Sequence, residues 1–577
     1  MGRNALAAKI LYEIADILEI QDVQWKPIAY RKAARAIESL SEDVEDIHTR
    51  GGVKALEEIP GVGEAIAKKL EEIIRTGSLR YYEELKKEAP FDLEAFTAIP
   101  GMGPKKAKKL YDALKVKNLD GLRKAAEAGK IRGLEGFGEK SEQDILKGLA
   151  LLERTKGRAL LGDALPEAEA LVEALKKSGA VNRIAYAGSL RRMKETIGDI
   201  DILATSSQPA KVMDFFVKLP QVEEVVAKGE TKSAVRLKNG MGCDLRVVED
   251  DAFGAAMQYF TGSKEHNIGV RRIAISRGWK LNEYGIFKGE RRIAGKDEES
   301  VYSKLGMEWI PPELRENTGE IEAAQKGGLP ELVELKDIRG DFHCHTKWSD
   351  GKYSILEMAL AADKLGYEYL AVTDHASRIV VVNGMDEKRK GKHSAAIADA
   401  QGKLERGGSG LRLLDGCELD ISKDGTLALP AAALRKLDVV IGAIHSNFAM
   451  PEREMTARVV KAMDSGLVDI FAHPSGRLIG ERDAYQLDYG RVFDAAERNG
   501  VAIEINAFPD RLDLVDVEVK RAVGRGIRIS IGTDSHATDH LAYMRYGVAV
   551  ARRGWCGKKD VLNTLSYGEL AKALSIK

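Results

Sequence analysis

The sequence predicts a multidomain α and α/β protein: helical at the start, mixed in the middle, and closed by a parallel α/β barrel. Three observations carry this. The chain has 577 residues, which suggests roughly three to five domains. Up to about residue 155, apolar residues recur at three and four spacings, as at Leu6, Ile10, Ile14 and Ile17, the period of an amphipathic helix. From residue 339 on, short apolar runs such as YLAVTD, LDVVIGAIHS, VDIFAHP, VAIEINA and RISIGTDSH alternate with helical stretches, the pattern of a parallel barrel.

Composition narrows the class. Hydrophobic residues make up 44% and charged residues 31%, a globular balance. Lys plus Arg and Asp plus Glu each total 89, so bulk charge announces no polyanionic partner. A nucleic-acid face has to come from local arrangement. Cys243, Cys344, Cys417 and Cys556 lie far apart, which does not describe a disulfide scaffold and points to the cytoplasm. The opening MGRNALAAKILYEIADILEI carries acids and reads as an amphipathic helix rather than a signal peptide. No run of about 18 apolar residues offers a membrane span. Eight of the ten histidines follow residue 340, a skew that suggests two functional modules.

Within the helical region a motif repeats: IPGVGEAIAKKLEEI at 59–73, IPGMGPKKAKKLYDAL at 99–114 and a weaker LEGFGEKSEQDIL at 134–146. Gly61, Gly63, Gly101 and Gly103 permit a tight turn that leads straight into a helix. Such a turn aims backbone N–H groups and the positive helix end outward, a ready phosphate site. Lys68, Lys69, Lys105, Lys106, Lys108 and Lys109 follow. The pattern resembles helix-hairpin-helix elements, which grip the DNA backbone without reading sequence.

From about 156 to 250 helix and strand alternate. Asp199 and Asp201 stand two apart on a predicted strand, so both carboxylates face one side. SAVRLKNGMGCDLRVV reads as a hairpin around Asn239-Gly240, and its second strand brings Asp244. Three carboxylates on one sheet face repel one another unless cations sit between them. They suit two Mg²⁺ ions that activate an attacking hydroxyl and stabilise a leaving phosphate. Gly188-Ser189 comes ten residues earlier, before a helix, with Arg191 and Arg192 beside it, and can cradle phosphate. Together these point to a nucleotidyltransferase palm.

This segment, the YFTGSKEHN of 259–267 and the WKLNEYGIF of 279–287 resemble the family X DNA polymerases of the polymerase beta type, over residues 1 to about 318. The resemblance implies that Asp199, Asp201 and Asp244 bind Mg²⁺ or Mn²⁺, with Asp244 helping to deprotonate the primer 3′-OH. It implies that Gly188, Ser189 and Arg192 contact the triphosphate, and that Tyr259 and Phe260 lie beside the sugar and disfavour ribonucleotides, with Gly262 in the same turn. Asn267 and Arg271 match contacts to the new base pair and the template. LGDALPEAEAL at 161–171 has no arginine where the beta enzyme has a triphosphate contact. Lys69 falls on the position of that enzyme's 5′-deoxyribose phosphate lyase lysine, while Lys26 and Tyr30 match its 5′-phosphate pocket. Two other basic positions of that pocket are Glu57 and Ala65 here.

The last third opens on DFHCHTKWSDG at 341–351. His343 and His345 alternate at a strand end, with Asp350 in the loop. His375, Glu418, His445, His473, Asp534 and His536 end successive strands, and in a barrel those ends converge on one mouth. Nine N and O donors exceed one tetrahedral ion and suit two or three ions such as Zn²⁺, Mn²⁺ or Fe²⁺. The set resembles the polymerase and histidinol phosphatase (PHP) domain, a metal-dependent phosphoesterase with a (β/α)7-type barrel. By that resemblance His343, His345, Glu418 and Asp534 hold one ion, Glu418, His445 and His473 a second, and Asp350, His375 and His536 a third. His393 and His540 fall outside the pattern, and His393 reads as exposed or substrate-contacting.

The expected organisation is a lyase-like helical domain at 1–88, a helix-hairpin-helix domain at 89–155, the palm at 156–252, a thumb at 253–318, a linker at 319–338 and the PHP barrel at 339–577. The two resemblances imply a monomeric DNA repair enzyme that fills short gaps with dNTPs. Its barrel would act as a 3′→5′ exonuclease on gapped, nicked or single-stranded DNA and could also cut abasic sites or remove 3′-phosphates. The rival readings are a histidinol phosphate-like small-molecule phosphatase attached to a DNA-binding scaffold, and a non-enzymatic DNA-end scaffold.

Overall fold

The computed structural model describes residues 3–576 apart from 39, 41, 98, 100, 156, 377–382 and 575. Two compact units emerge. One is Met1–Lys156 with Gly480–Asp483, the other Gly157–Ile479 with Ala484–Lys577.

Among its described residues, every helix or strand of the first unit is a helix. In its opening helix, Arg3–Ile20, Ala7, Leu11, Ile14 and Leu18 form one buried stripe, as a 3.6-residue period requires. The two helical domains expected on either side of residue 88 share a single apolar core, which runs from Ala7 to Leu149. All three repeats build the same turn. Gly61, Gly101 and Gly136 take positive φ of 89°, 76° and 83°, a conformation glycine adopts without strain. The residue after each closes the turn: Val62, Met102 and Phe137 donate to the carbonyls of Ile59, Ile99 and Leu134, each at 2.9 Å. The weak third copy is therefore a full hairpin.

The second unit begins with a five-stranded sheet in the order Arg183–Tyr186, Asp199–Thr205, Gly242–Val248, Lys232–Leu237, Val222–Lys228. The expected hairpin turns at Gly240, whose φ is +83°. Asp199–Thr205 and Gly242–Val248 run parallel, in a register that sets Asp201 opposite Asp244. A small antiparallel sheet, Lys280–Asn282, Gly285–Lys288 and Arg291–Ala294, packs with the helices Phe253–Thr261, Lys264–Ser276 and Glu298–Lys304.

Residues 319–338 are not a bare linker. The Glu320–Gln325 helix buries Ile321 and Ala324 in the core of that smaller subdomain. Buried Glu320 meets buried His266 at 2.6 Å. The polar composition that suggested a connector belongs to the helix's outer face.

The barrel follows. Seven strands lie in sequence order, Gly340–Asp341, Tyr369–Val372, Arg412–Asp420, Val439–Ala443, Ile470–Phe471, Ala502–Asn506 and Ile529–Gly532, all parallel. His375–Ala376 adds a short eighth pairing on Arg412–Asp420. A Cys344–Ser535 bridge links the first strand's end to the last and nearly closes the ring. The strands are buried almost throughout, as parallel strands flanked by helices must be. All four cysteines are buried free thiols.

Candidate active sites

In the palm, Gly188 follows the first strand with φ +64°, and a Cβ there would fall 2.6 Å from Asp201 Oδ2. Only glycine lets the Gly188–Arg191 turn lie this close to the carboxylates. Burial, then Asp199 and Asp244, push the Asp201 carboxyl up to about 6. Lys232 meets Asp244 at 3.1 Å, and Arg246 lies 3.8 Å from it. Asp199, Asp201 and Asp244 together form an all-oxygen donor set on one strand pair, which fits Mg²⁺ or Mn²⁺.

Six of the expected nucleotide and DNA residues, Arg192, Tyr259, Phe260, Gly262, Asn267 and Arg271, line one cavity of about 510 Å³. Ser189 is not part of that lining. Gly262 has φ +71°, and an added Cβ would lie 3.1 Å from Arg192 Nη1. The Arg192 guanidinium also pairs with Glu316 through Nε at 3.0 Å and donates to the Thr261 carbonyl. Asn267 turns inward: its Nδ2 donates to the Tyr259 carbonyl and its Oδ1 accepts from Gln258, both at 2.7 Å. It reinforces the aromatic turn rather than reaching outward. Neighbouring Arg191 forks onto Glu298 at 2.6 and 2.9 Å. Burial would raise the Glu298 carboxyl, but Arg315 and Arg191 hold it at about 2.

In the helical unit, Gly63 and Gly103 head the helices Glu64–Thr76 and Pro104–Leu114 without a side-chain cap, leaving first-turn N–H groups for an anion. The two lysines after the first hairpin differ. Exposed Lys68 pairs with Glu64 at 2.7 Å. Lys69 sits 4.7 Å over the Tyr81 ring, and burial, with Lys26 adding to it against Glu72, lowers its amine. Tyr30, beside Tyr81, is pushed up to about 12 by burial and that neighbour. After the second hairpin, Lys105 lies 3.4 Å from Glu19 and Lys108 pairs with Asp22, so those two are engaged within the unit.

At the barrel mouth, Glu418 is the centre. Its Oε1 lies 2.9 Å from His473 Nε2 and 3.1 Å from His445 Nε2. Its Oε2 lies 2.8 Å from His375 Nδ1, 3.5 Å from His343 Nε2 and 3.6 Å from His345 Nε2. Asp534 is 3.1 Å from His345 and 3.6 Å from His343, while Asp350 lies 3.5 Å from both His375 and His536. Among the described residues, three donor groups have ligand atoms within 4.8 Å of one another: His345, Asp350, His375 and His536; His343, His345 and Asp534; His375, Glu418 and His445. The partition differs from the expected one: His375 also groups with Glu418 and His445, and His473 stands against Glu418 outside the three groups.

Metal ions fit this set. His343 Nε2, His345 Nδ1 and His473 Nδ1 are buried without a hydrogen-bond partner, and His345 Nε2, His375 Nδ1 and Glu418 Oε2 are buried in close ion-pair contact but without hydrogen-bond geometry. Each such atom costs about 1–3 kcal/mol if left unsatisfied. Burial alone would raise the Glu418 and Asp534 carboxyls, but the imidazoles, His375 and His445 at Glu418 and His343 and His345 at Asp534, hold both well below the usual carboxylate range.

Several residues of this site went unread in the sequence. Glu504 accepts from His343 Nδ1 and from the His473 amide, both at 2.7 Å, so it turns His343 Nε2 toward the cluster. A glutamate inside the apolar VAIEINA was the available signal. Asp374 accepts from the amides and hydroxyls of Thr346 and Ser349, fixing the loop that carries Asp350. It also meets His393 Nε2 at 2.9 Å. His393 is fully buried, which corrects its reading as exposed or substrate-contacting. His540 Nδ1 accepts from the His536 amide at 3.3 Å and its ring stacks on Tyr543. Arg511 Nε lies 3.5 Å from Asp534 Oδ2, a cation at the rim of the donor set.

The fold and the two donor sets define a class: a polymerase beta-type nucleotidyltransferase joined to a PHP barrel on one chain. The chain matches the helix-hairpin-helix domain at 2–79, the SAM-like helix-hairpin-helix tandem at 93–150, the DNA polymerase beta thumb at 256–316 and the PHP domain at 341–508. It is 37% identical to the DNA polymerase/3′-5′ exonuclease PolX of Bacillus subtilis over 568 residues, covering 97% of each chain. This chain belongs to the PolX family. It is also 26% identical to DNA polymerase lambda of Rattus norvegicus, over 52% of this chain and 54% of that one. A probable phosphatase of Thermoanaerobacter sp. strain X514 is 28% identical over 41% of this chain and 94% of its own length. No helix among the described residues is long and apolar enough to cross a membrane.

Proposed function

We propose that this chain extends primers across short gaps with its palm and degrades 3′ ends with its barrel, as a monomeric repair enzyme. The observation that carries the reading is the presence of two unlike donor sets, one of three carboxylates on a strand pair and one of imidazoles and acids, six of the nine buried, at the barrel mouth. In the palm, Asp199, Asp201 and Asp244 would hold Mg²⁺ or Mn²⁺. In the barrel, His343, His345, Asp350, His375, Glu418, His445, His473, Asp534 and His536 would hold Mn²⁺, Zn²⁺ or Fe²⁺. When bound, such ions supply Lewis acidity to a phosphoryl group and a more acidic attacking hydroxyl or water.

The chain's own residues do the rest. Asp244 would take the primer hydroxyl proton. Arg192, with the Gly188-Ser189 turn, neutralises the triphosphate. Tyr259 and Phe260 wall the cavity at the sugar, and Arg271 offers a cation to the template. Glu504 fixes the ring of His343, and Asp374 holds the Asp350 loop. The hairpins headed by Gly63 and Gly103 take DNA phosphates, an interaction that weakens with salt. The test is a gapped duplex with a labelled primer: the Asp201→Ala variant keeps degradation without extension, and the Glu418→Ala variant keeps extension without degradation. Loss of both activities in either variant contradicts the assignment.

Lys69 supports a further, weak 5′-deoxyribose phosphate lyase. Imine formation needs the neutral amine, and burial beside Tyr81 and Lys26 lowers that amine. Exposed Glu57 stands at a position that resembles a phosphate contact and weakens the pocket. Borohydride trapping on an incised abasic duplex, lost in Lys69→Ala, is the expected result. A second reading is favoured by the likeness to the probable phosphatase: a barrel acting on sugar phosphates. Hydrolysis of a sugar phosphate with single-stranded DNA left intact would favour it.

A further inference from the structure

The barrel reaches the backbone of Arg192, a residue that lines the polymerase's nucleotide cavity. Arg553 ends the Met544–Arg553 helix and is 6% exposed. Its Nη1 donates to the Arg192 carbonyl at 3.0 Å and to Glu316 Oε1 at 3.2 Å, and its Nη2 pairs with Asp516. The same Glu316 oxygen accepts from Arg192 Nε at 3.0 Å, with Lys194 Nζ 3.8 Å away. One carboxylate oxygen thus stands between the guanidinium that faces the nucleotide cavity and a guanidinium of the barrel. Burial would raise Glu316, but Lys194, Arg192 and Arg553 keep it below its usual range.

The loop after Arg192 is held at a second point. Glu195 is gripped by both Nη atoms of Arg477, at 2.6 and 3.0 Å. Arg477 also donates to the Arg511 carbonyl at 2.8 Å. The surrounding contact is close-packed: a Cβ on Gly162 of the palm would fall 2.5 Å from Pro509 of the barrel, and one apolar core runs from Leu161 to Val561.

We propose that Arg553 is a positioning residue of the polymerase's nucleotide site, so that the barrel is a working part of dNTP binding. The inference rests on the reading that Arg192 contacts the triphosphate. Glu316 and a triphosphate compete for the same guanidinium. By sharing Glu316, Arg553 weakens that carboxylate's hold on Arg192, and by binding the Arg192 carbonyl it fixes the backbone from which the side chain projects. Without Arg553, Glu316 turns its full charge on Arg192, and the nucleotide must displace it.

The test is single-nucleotide insertion into a gapped duplex by the full chain. Arg553→Met should raise KM for dNTP about tenfold, the loss of one charge-assisted contact. It should leave kcat within about threefold, the signature of lost ground-state binding. Degradation of single-stranded DNA should be unchanged. Adding Glu316→Gln should bring KM back toward the parent value, since the competitor is then neutral. Asp516→Asn, which frees the far side of Arg553, should raise KM less and serves if Arg553→Met does not fold. Arg192→Ala separates the two ideas. If it leaves KM unchanged, the triphosphate reading falls and the inference with it. If it raises KM while Arg553→Met and Asp516→Asn do not, the inference alone is overturned. A parallel fall of kcat and exonuclease activity in both barrel variants also overturns it, because that is the mark of general damage.

Discussion

The palm and the barrel solve one problem, holding charge against phosphate, with opposite materials. The palm uses three carboxylates, of which Asp199 is exposed and Asp201 and Asp244 are half-buried. The barrel sinks most of its imidazoles and acids in the fold, with His343 and His345 at 0% and Glu418 at 1% exposure, and leaves Asp350, His445 and His536 toward the mouth. Exposed oxygen donors suit hard ions that exchange readily and can arrive with the nucleotide. Buried nitrogen donors with unpartnered atoms suit ions that stay. On the proposed reading, ions would reach the palm with the nucleotide, whereas the barrel would hold its ions before DNA arrives.

That contrast can be broken at either end. The largest effect is expected from Asp201→Ala, which removes the palm's central carboxylate: extension of a primer at a gap should fall below detection while degradation of a single strand continues. Glu418→Ala should do the reverse, since among the described residues no other meets His343, His345, His375, His445 and His473 together.

Glu504→Gln sharpens the comparison. It leaves every expected ligand in place but weakens the acceptor that orients His343. Loss of such a partner typically costs about 10–100-fold in metal affinity, read by competition with a chelator. Extension should be untouched.

A smaller effect concerns pH. The folded-state carboxyl of Asp201 is raised from 3.8 to about 6 by burial and by Asp199 and Asp244. Between those values the folded state binds more protons than the unfolded one. The contribution is therefore full below about pH 4 and is lost as pH rises through 6. The melting temperature of metal-free protein should decline across that window relative to Asp201→Asn, and added Mg²⁺ should stabilise the parent more at pH 7 than at pH 5. A metal-free melting curve with the same pH slope in both proteins would show that Asp201 is not the group responsible.

Much of this was legible because chemistry repeats at fixed intervals. The alternation of Asp199 and Asp201 set them on one strand face, and Asn239-Gly240 announced the hairpin that brings Asp244 opposite Asp201. Nine donors at strand ends could be read as one mouth because parallel strands end together. What escaped were the contacts made across long sequence distances. Glu316 and Arg553 are 237 residues apart, and no periodicity links them. His393 sits among lysines in EKRKGKH, yet its helix turns it inward to Asp374, and Lys390 follows it inward to Asp415. The Glu320–Gln325 helix escaped as well, because its buried acid answers a histidine 54 residues earlier that no local pattern points to.

The barrel should hold resident ions independently of the palm. The most direct measurement is the metal content of protein purified without added metal, for the parent, Asp201→Ala and Glu418→Ala. The three donor groups predict about two to three transition-metal ions per chain in the parent and in Asp201→Ala, where cluster sites favour such ions, and fewer than about one in Glu418→Ala. A parent without bound metal, or an Asp201→Ala protein that loses its ions as Glu418→Ala does, would contradict it.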